Sequence, residues 1–319
     1  MPVMLKEATK YLNLKKDGIY VDCTLGGAGY STLIAKNIGM GKLISIDLDK
    51  LAIENAEKII KNKKIKNITI INDNFRNIKK IIKENFGEEA IGNINGVVLD
   101  LGLSSAQLED RNRGFSFQAD APLDMSFARQ DKASLSTEEI VNEWPEKELC
   151  RIINDYGEEK FAYRIAKNIV NARNTERIKT TGQLLEIIKK SLPAFYLRKK
   201  GIHFATLTFQ ALRIATNDEL NSLKEVLEDA VEVLGNSGRL VVISYHSLED
   251  RIVKQYFKKE SRGCICPPKA PVCQCEHEAE IKLIIPKALK PSNEEVVANP
   301  RSRSAKLRVV EKIITKNLK

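Results

Sequence analysis

The stretch that most constrains this chain is Gly18-Ile-Tyr-Val-Asp-Cys-Thr-Leu-Gly-Gly-Ala-Gly-Tyr-Ser31, which reads as a strand, a tight turn and the start of a helix. Ile19, Val21 and Cys23 belong to a short apolar run, as a buried parallel strand requires. Gly26, Gly27 and Gly29 let the backbone turn sharply and approach a ligand, which a Cβ would prevent. Leu33, Ile34 and Ile38 then recur at helical spacing. A helix N-terminus facing the carboxyl end of a strand is a common seat for a nucleotide-like cofactor. Alone, the turn is also compatible with an ordinary strand–helix connection.

The alternation continues downstream. Strands are expected over 42–46, 67–71 and 97–100, with helices between them over 50–62 and around Ile78, Ile81 and Ile82. A further strand is expected over 239–244, after helices within 204–234, and the apolar runs 281–285 and 306–310 fit a closing antiparallel pair. Strand–helix alternation of this kind means a mostly parallel sheet wrapped by helices. Residues 108–200 break the rhythm: they hold no clear buried strand, but helical patterns over 146–155, 158–173 and 180–192 and a capping-box run at Ser136-Thr-Glu-Glu139. The domain reading is therefore 1–107 with 201–319 as one α/β domain, and 108–200 as a helical insert that recognises substrate.

Charge narrows the partners. The 319 residues carry a formal charge of +10, and residues 251–319 hold 16 Lys and Arg against 7 Asp and Glu. A basic flank suits a polyanion such as RNA, although a solvated tail has the same composition. No apolar run reaches membrane-spanning length and the first residues lack a signal-peptide layout, so a cytoplasmic protein is expected.

The strand ends carry the chemistry. Asp47, 18 residues after Gly29, is placed to accept both hydroxyls of a ribose. Asp73 and Phe75 follow the third strand, where a carboxylate could take an adenine amine and a phenyl could cover its face. A dinucleotide turn wants Gly-x-Gly-x-x-Gly, but counting from Gly27 gives Gly27, Gly29 and Thr32, which weighs against NAD. Asp100 ends the fourth strand, and His246 follows the fifth in Ile243-Ser-Tyr-His-Ser-Leu-Glu-Asp-Arg-Ile252. A hydrogen-bonding structural histidine fits that position as well as a catalytic one. Arg111, Arg113, Phe115 and Phe117 interleave charge with aromatics, either as a wall for an extruded base or as an anchored loop. Cys264-Ile-Cys266 and Cys273-Gln-Cys275 could bind zinc. The usual spacing is Cys-x-x-Cys, however, and a cytosolic chain keeps such thiols reduced. No metal ligand is assigned, and this loop is expected to be structural and outside the active centre.

Seven motifs in order resemble one family. They are Val-Asp-Cys-Thr-Leu-Gly-Gly-Ala-Gly-Tyr-Ser, Asp-Leu-Gly-Leu-Ser-Ser-Ala-Gln, Arg-Gly-Phe-Ser-Phe, Ala-Pro-Leu-Asp-Met, Thr-Phe-Gln-Ala-Leu-Arg-Ile, Ser-Tyr-His-Ser-Leu-Glu-Asp-Arg and Asn-Pro-Arg-Ser-Arg-Ser-Ala-Lys-Leu-Arg. Together they are similar to the bacterial ribosomal small-subunit RNA cytosine-N4 methyltransferases, the MraW or RsmH family. The resemblance covers essentially the whole chain. It implies a class I S-adenosylmethionine (SAM)-dependent methyltransferase fold, Rossmann-like, with an inserted helical domain. It implies SAM as donor and N4 of a cytidine in the decoding region of 16S rRNA as acceptor, within the small ribosomal subunit or its precursor. It places Ala28, Gly29, Tyr30, Asp47, Phe75, Asp100 and Gln107 at cofactor positions. The family usually has a histidine where Tyr30 stands. Asp100 or Asp124 is then the candidate acceptor beside N4–H, with His246 a third catalytic candidate. Other acceptors (DNA or protein), a non-catalytic assembly factor and a homodimer remain open at this point.

Overall fold

The computed structural model describes residues 2–110, 112–117, 119–128, 134–198, 201–267 and 272–313. These residues form two compact units, Met1–Gly102 with Asn221–Lys319, and Leu103–Leu220. The first unit contains the strands β1 (Ile19–Asp22), β2 (Lys42–Asp47), β3 (Ile68–Asn72), β4 (Ile94–Asp100), β5 (Leu234–Ser244), β6 (Ile281–Leu283) and β7 (Lys306–Lys312). In chain order the helices are α1 (Leu5–Leu12), α2 (Gly29–Asn37), α3 (Lys50–Asn62), α4 (Ile78–Phe86), α5 (Ser105–Glu109), α6 (Thr137–Glu143), α7 (Glu146–Asp155), α8 (Ala162–Arg173), α9 (Thr181–Ser191), α10 (Ala194–Leu197), α11 (Thr206–Asn217), α12 (Glu219–Val233), α13 (Ser247–Glu260) and α14 (Asn293–Ala298). No helix among the described residues is long and apolar enough to cross a membrane.

The seven strands form one sheet in the order β3-β2-β1-β4-β5-β7-β6. β1, β2, β3, β4 and β5 run parallel, whereas β7 pairs antiparallel with both β5 and β6. This is the mostly parallel class I arrangement with its closing antiparallel pair, as the alternation implied. The central strands read as continuous apolar runs because helices cover both faces. Val97, Val98 and Leu99 of β4 and Leu240, Val241, Val242 and Ile243 of β5 are all buried. One face packs Leu223, Val226, Leu227 and Ala230 of α12 with Val253 and Phe257 of α13. The other packs Ala8 and Leu12 of α1 with Ile34 and Ile38 of α2. Each Val, Leu, Ile or Phe among them contributes about 1.5–3 kcal/mol on burial. The strand order reverses between β1 and β4, and open α/β sheets form their ligand crevice at the carboxyl ends flanking such a switch. Asp22 and Asp100 are the residues that end those two strands.

The second unit is helical and has its own core, built from Ile140, Leu149, Ile152, Ile165, Ile169, Leu184 and Ile188. Capping boxes start α5, α6 and α9 at Ser104, Ser136 and Thr180. Its limits, 103 and 220, lie outside the 108 and 200 read from sequence. The reason is α11, whose Phe209 and Leu212 pack into this helical core.

The same core corrects the reading of residues 111–117. Arg111 lies outside the described residues. Arg113 is only 3% exposed, with its guanidinium 5.1 Å from the Phe115 ring centroid and Nη2 donating to the Ser126 carbonyl at 2.9 Å. Phe115 stacks on Phe127, and Phe117 stacks on His203 and meets Phe209 edge-on. In the described residues, Arg113 and Phe115 are core rather than a wall facing a base.

Candidate active site

The glycine turn is held from below by a buried polar chain. Asp22 ends β1 with no exposed surface; its Oδ2 accepts from Ser31 Oγ at 2.5 Å, and Ser31 Oγ lies 2.9 Å from Ser45 Oγ of β2. Its Oδ1 accepts from the Thr24 amide at 3.1 Å, so one carboxyl ties the strand end, the turn and α2 together. Burial raises its pKa, opposed by these hydrogen bonds. Ala28, the residue before α2, is buried with φ +57°, a left-handed conformation that costs a residue with a Cβ about 1–2 kcal/mol. That cost is stored in the loop that must approach the ligand. A Cβ added at Gly27 meets no protein atom within 4 Å, so packing by the protein itself does not demand glycine there. The turn is a cradle open at Gly27 and closed by the Pro2 ring at Gly29.

Asp47 closes one side of it. Its Oδ2 accepts from the Gly26 amide at 2.8 Å and its Oδ1 from the Asp49 amide at 2.9 Å. A carboxylate has about four acceptor sites, so two remain for a diol. Burial pushes its pKa up to about 6, against the pull of those two amides. Asp73, also expected here, spends Oδ1 on the Asn74 amide at 2.6 Å and the Asn77 side chain at 2.8 Å. Phe75 opens a short 3-10 turn, Phe75–Asn77, half-buried against the core. This donor and acceptor set fits SAM: a diol acceptor at the end of β2, an apolar ring after β3 and a glycine cradle open at Gly27.

Asp100 stands at the switch. Its amide donates to Thr24 Oγ1 at 2.8 Å, which ties the end of β4 to the glycine turn. Its Oδ1 accepts from the Tyr245 hydroxyl at 2.7 Å. Gly102 has φ +100°, and a Cβ there would stand 3.1 Å from the Tyr245 ring, so glycine admits that ring. Burial pushes the Asp100 pKa up to about 7; the Tyr245 bond lowers it, and the charges of Asp22, Glu249 and Glu295 raise it. Burial and Asp100 together push the Tyr245 phenol well above its usual range, so it stays a donor. A carboxyl poised near neutrality with one oxygen held by a phenol is suited to accept a proton.

The structure distributes the other candidates differently. Tyr30 turns its side chain into the core, 3% exposed, with its hydroxyl on the Val3 carbonyl. Only its backbone is left to serve a cofactor, because the larger phenol tethers the N-terminal segment. His246 caps α13: its Nδ1 accepts from the Glu249 amide at 3.5 Å, and Nε2 lies 3.1 Å from Glu249 Oε1. That is the structural histidine reading. Gln107 lies in the second unit, 7% exposed, with Oε1 accepting from the Ser104 amide at 2.9 Å in the α5 capping box. Asp124 lies in the same unit, where Oδ1 accepts from the Ser126 amide at 3.3 Å, a carboxylate bonded to its own loop. Three partners were missed from sequence. Tyr245 adjoined the chosen His246, and its place one residue past the end of β5, at the rim of the sheet, was the available signal. Thr24 and Ser31 flank the glycine turn, and nothing in their spacing marked them.

The sequence model of the MraW methylase family matches residues 1–313. A ribosomal RNA small subunit methyltransferase H from Brevibacillus brevis is 50% identical over 312 residues, covering 98% of this chain and 97% of that one. The protein of that name from Clostridium botulinum is 47% identical over 312 residues, covering 98% of each chain. With the cradle, the acidic strand ends and the antiparallel closing pair in place, a match of this length leaves one conclusion: the chain belongs to the MraW methylase family.

Proposed function

We propose that this protein is a SAM-dependent methyltransferase acting on the exocyclic N4 of a cytidine in 16S rRNA. Asp100 carries the reading: a carboxyl at the β4 end, tied to the glycine turn through Thr24 and oriented by Tyr245. SAM, when bound, supplies an electrophilic methyl on a sulfonium. Asp47 would hold its ribose, Phe75 would lie against its adenine, and the backbone of Ala28, Gly29 and Tyr30 would line its methionine part. Cytosine N4 is a poor nucleophile because its lone pair is delocalised into the ring. Asp100 would accept a hydrogen bond from N4–H and draw off the proton as the methyl bond forms. Since the sulfonium loses charge on transfer, alignment matters more than stabilising a new charge.

The helical unit would carry RNA recognition, with a surface other than the one sequence suggested. Arg164 lies over the Phe161 ring at 5.9 Å, Phe161 meets Phe195 and Tyr196, and Tyr163 and Phe195 are 59% and 72% exposed. Exposed rings beside arginines suit unstacked bases. The test is methyl transfer from radiolabelled SAM to purified 30S subunits, followed by nucleoside analysis. Label in N4-methylcytidine of 16S rRNA is expected. Label on another base, on ribosomal protein or nowhere overturns the reading.

A further inference from the structure

The loop joining α13 to β6 carries four cysteines that the methyl-transfer site does not use. Among the described residues of 261–280 none is buried, and Ile265 and Val272 are 42% and 68% exposed. Its base is tied down, with the Glu280 amide on the Glu260 carbonyl at 3.0 Å and His277 Nε2 3.2 Å from the Lys259 carbonyl. Among its described residues the tip has no apolar core to offset the entropy of ordering it. The sulfurs converge there nonetheless. Cys264 Sγ lies 3.4 Å from Cys273 Sγ and 3.7 Å from Cys275 Sγ, and Cys273 and Cys275 are 3.6 Å apart. All four Sγ atoms, including that of Cys266, lie within 4.8 Å of one another.

These separations are not those of disulfides, and all four thiols are free. They are close to the edge of a tetrahedron of sulfurs around zinc, about 3.8 Å when Zn–S is about 2.3 Å. The surrounding amides form a reciprocal pattern. The middle residue of the first Cys-x-Cys, Ile265, donates its amide to Cys275 Sγ at 3.4 Å. The middle residue of the second, Gln274, donates its amide to Cys266 Sγ at 3.3 Å. Amides aimed at sulfur orient ligands and spread thiolate charge, the outer-shell arrangement that metal sites use. Four reduced thiols packed together without a metal gain nothing comparable.

We propose that Cys264, Cys266, Cys273 and Cys275 bind one zinc ion as a closed four-thiolate structural site. With four protein ligands no position is open for chemistry, so its role is to staple the exposed loop.

The test uses the full chain purified from zinc-replete cells. Metal analysis should find one zinc per chain, absent from the variant Cys264→Ser/Cys273→Ser. Cobalt(II) exchanged into the wild type should give strong visible bands of a tetrahedral site with thiolate-to-cobalt charge transfer. The four loop thiols should resist a thiol reagent until a chelator is added. If the variant fails to fold, the three wild-type measurements still decide. Zinc-free protein that takes up no zinc or cobalt, with four freely reactive thiols, overturns the proposal. So does a disulfide between any two of the four, and so does stoichiometric iron in place of zinc.

Discussion

The two units use polar residues in opposite ways. In the sheet unit, Asp22, Asp47 and Asp100 end neighbouring strands and are tied to the glycine turn, Asp22 and Asp47 through their carboxyls and Asp100 through its amide on Thr24. In the helical unit, Asp124 Oδ1 accepts from the Ser126 amide and Arg113 Nη2 donates to the Ser126 carbonyl. A strand end fixes where a side chain points, because the sheet supplies the geometry and the loop after it is free for function. A charged residue in a loop between helices has no such guarantee. On the proposed function, the same letters carry chemistry in one unit and hold the fold in the other.

The sharpest break of this comparison exchanges one carboxylate in each unit. Asp100→Asn keeps the size and the Tyr245 contact but removes the proton acceptor, so methyl transfer should fall about 10²–10⁴-fold. Asp124→Asn should stay within a few-fold. Radiolabelled transfer to 30S subunits measures both, and equal losses would erase the distinction. The pH profile sharpens it. With the Asp100 pKa raised to about 7, the ionised base appears as pH rises, so kcat/KM should climb through neutrality and level off above it. The sulfonium of bound SAM favours the ionised carboxyl, so under saturating SAM the rise should move to lower pH. Stability moves the other way. A carboxyl whose folded pKa exceeds its unfolded value, about 3.9, stabilises fully below that value and loses the contribution as pH rises through about 7. Asp100→Asn should flatten both dependences.

The next largest effect is on cofactor affinity. Asp47→Ala removes a carboxylate that braces the Gly26 amide and retains acceptors for a diol. SAM binding should weaken by roughly 1.5–3 kcal/mol, the value of hydrogen bonds to a charged group. Calorimetry showing unchanged affinity would take Asp47 out of the site.

What was legible follows the same division. Strand ends could be read because burial makes parallel strands continuous apolar runs, as at Val97-Val-Leu99, and the acidic residue after the run marks the rim. Helix starts in the second unit could be read because Ser136 and Glu139 satisfy a local rule. Which residues Arg113, Phe115 and Phe117 would touch could not. That depends on Ser126, Phe127, His203 and Phe209, some of them nearly 100 residues away in the chain. Tyr245 and Asp100 are likewise 145 residues apart, a pairing created only when β5 aligns beside β4.

Arg113→Met tests the buried side of the comparison. It keeps an apolar stem against Phe115 but strips the donor from the Ser126 carbonyl, leaving that carbonyl short of a partner. Stability should drop by roughly 1.5–3 kcal/mol, as expected for a lost bond from a charged donor. Denaturant unfolding measures it. An unchanged midpoint would mean that the bond to the Ser126 carbonyl adds nothing to stability.

The smallest effects concern how RNA is held, and here the basic tail itself divides. Lys306 and Arg308 are committed to Asp250, at 2.9 and 2.8 Å, and hold its carboxyl below the usual range. These two fasten β7 to α13, so they cannot be counted simply as phosphate ligands. Arg301 and Arg303 sit exposed on the 3-10 turn Pro300–Ser304. If those two contact phosphates, Arg301→Ala/Arg303→Ala should weaken binding to 30S subunits several-fold. The slope of log affinity against log salt should flatten by about 0.7–0.9 per lost contact. Neither the base methylated nor SAM affinity should change, because phosphate contacts position RNA without reading sequence. Phe195→Ala in the helical unit should behave oppositely, with a loss of about 1–3 kcal/mol of stacking and an unaltered salt slope. Titrations of both variants at several salt concentrations separate an electrostatic holder on one unit from a stacking surface on the other. If the arginine variant keeps both its affinity and its slope, those side chains serve solubility, and the contrast between the two units reduces to catalysis alone.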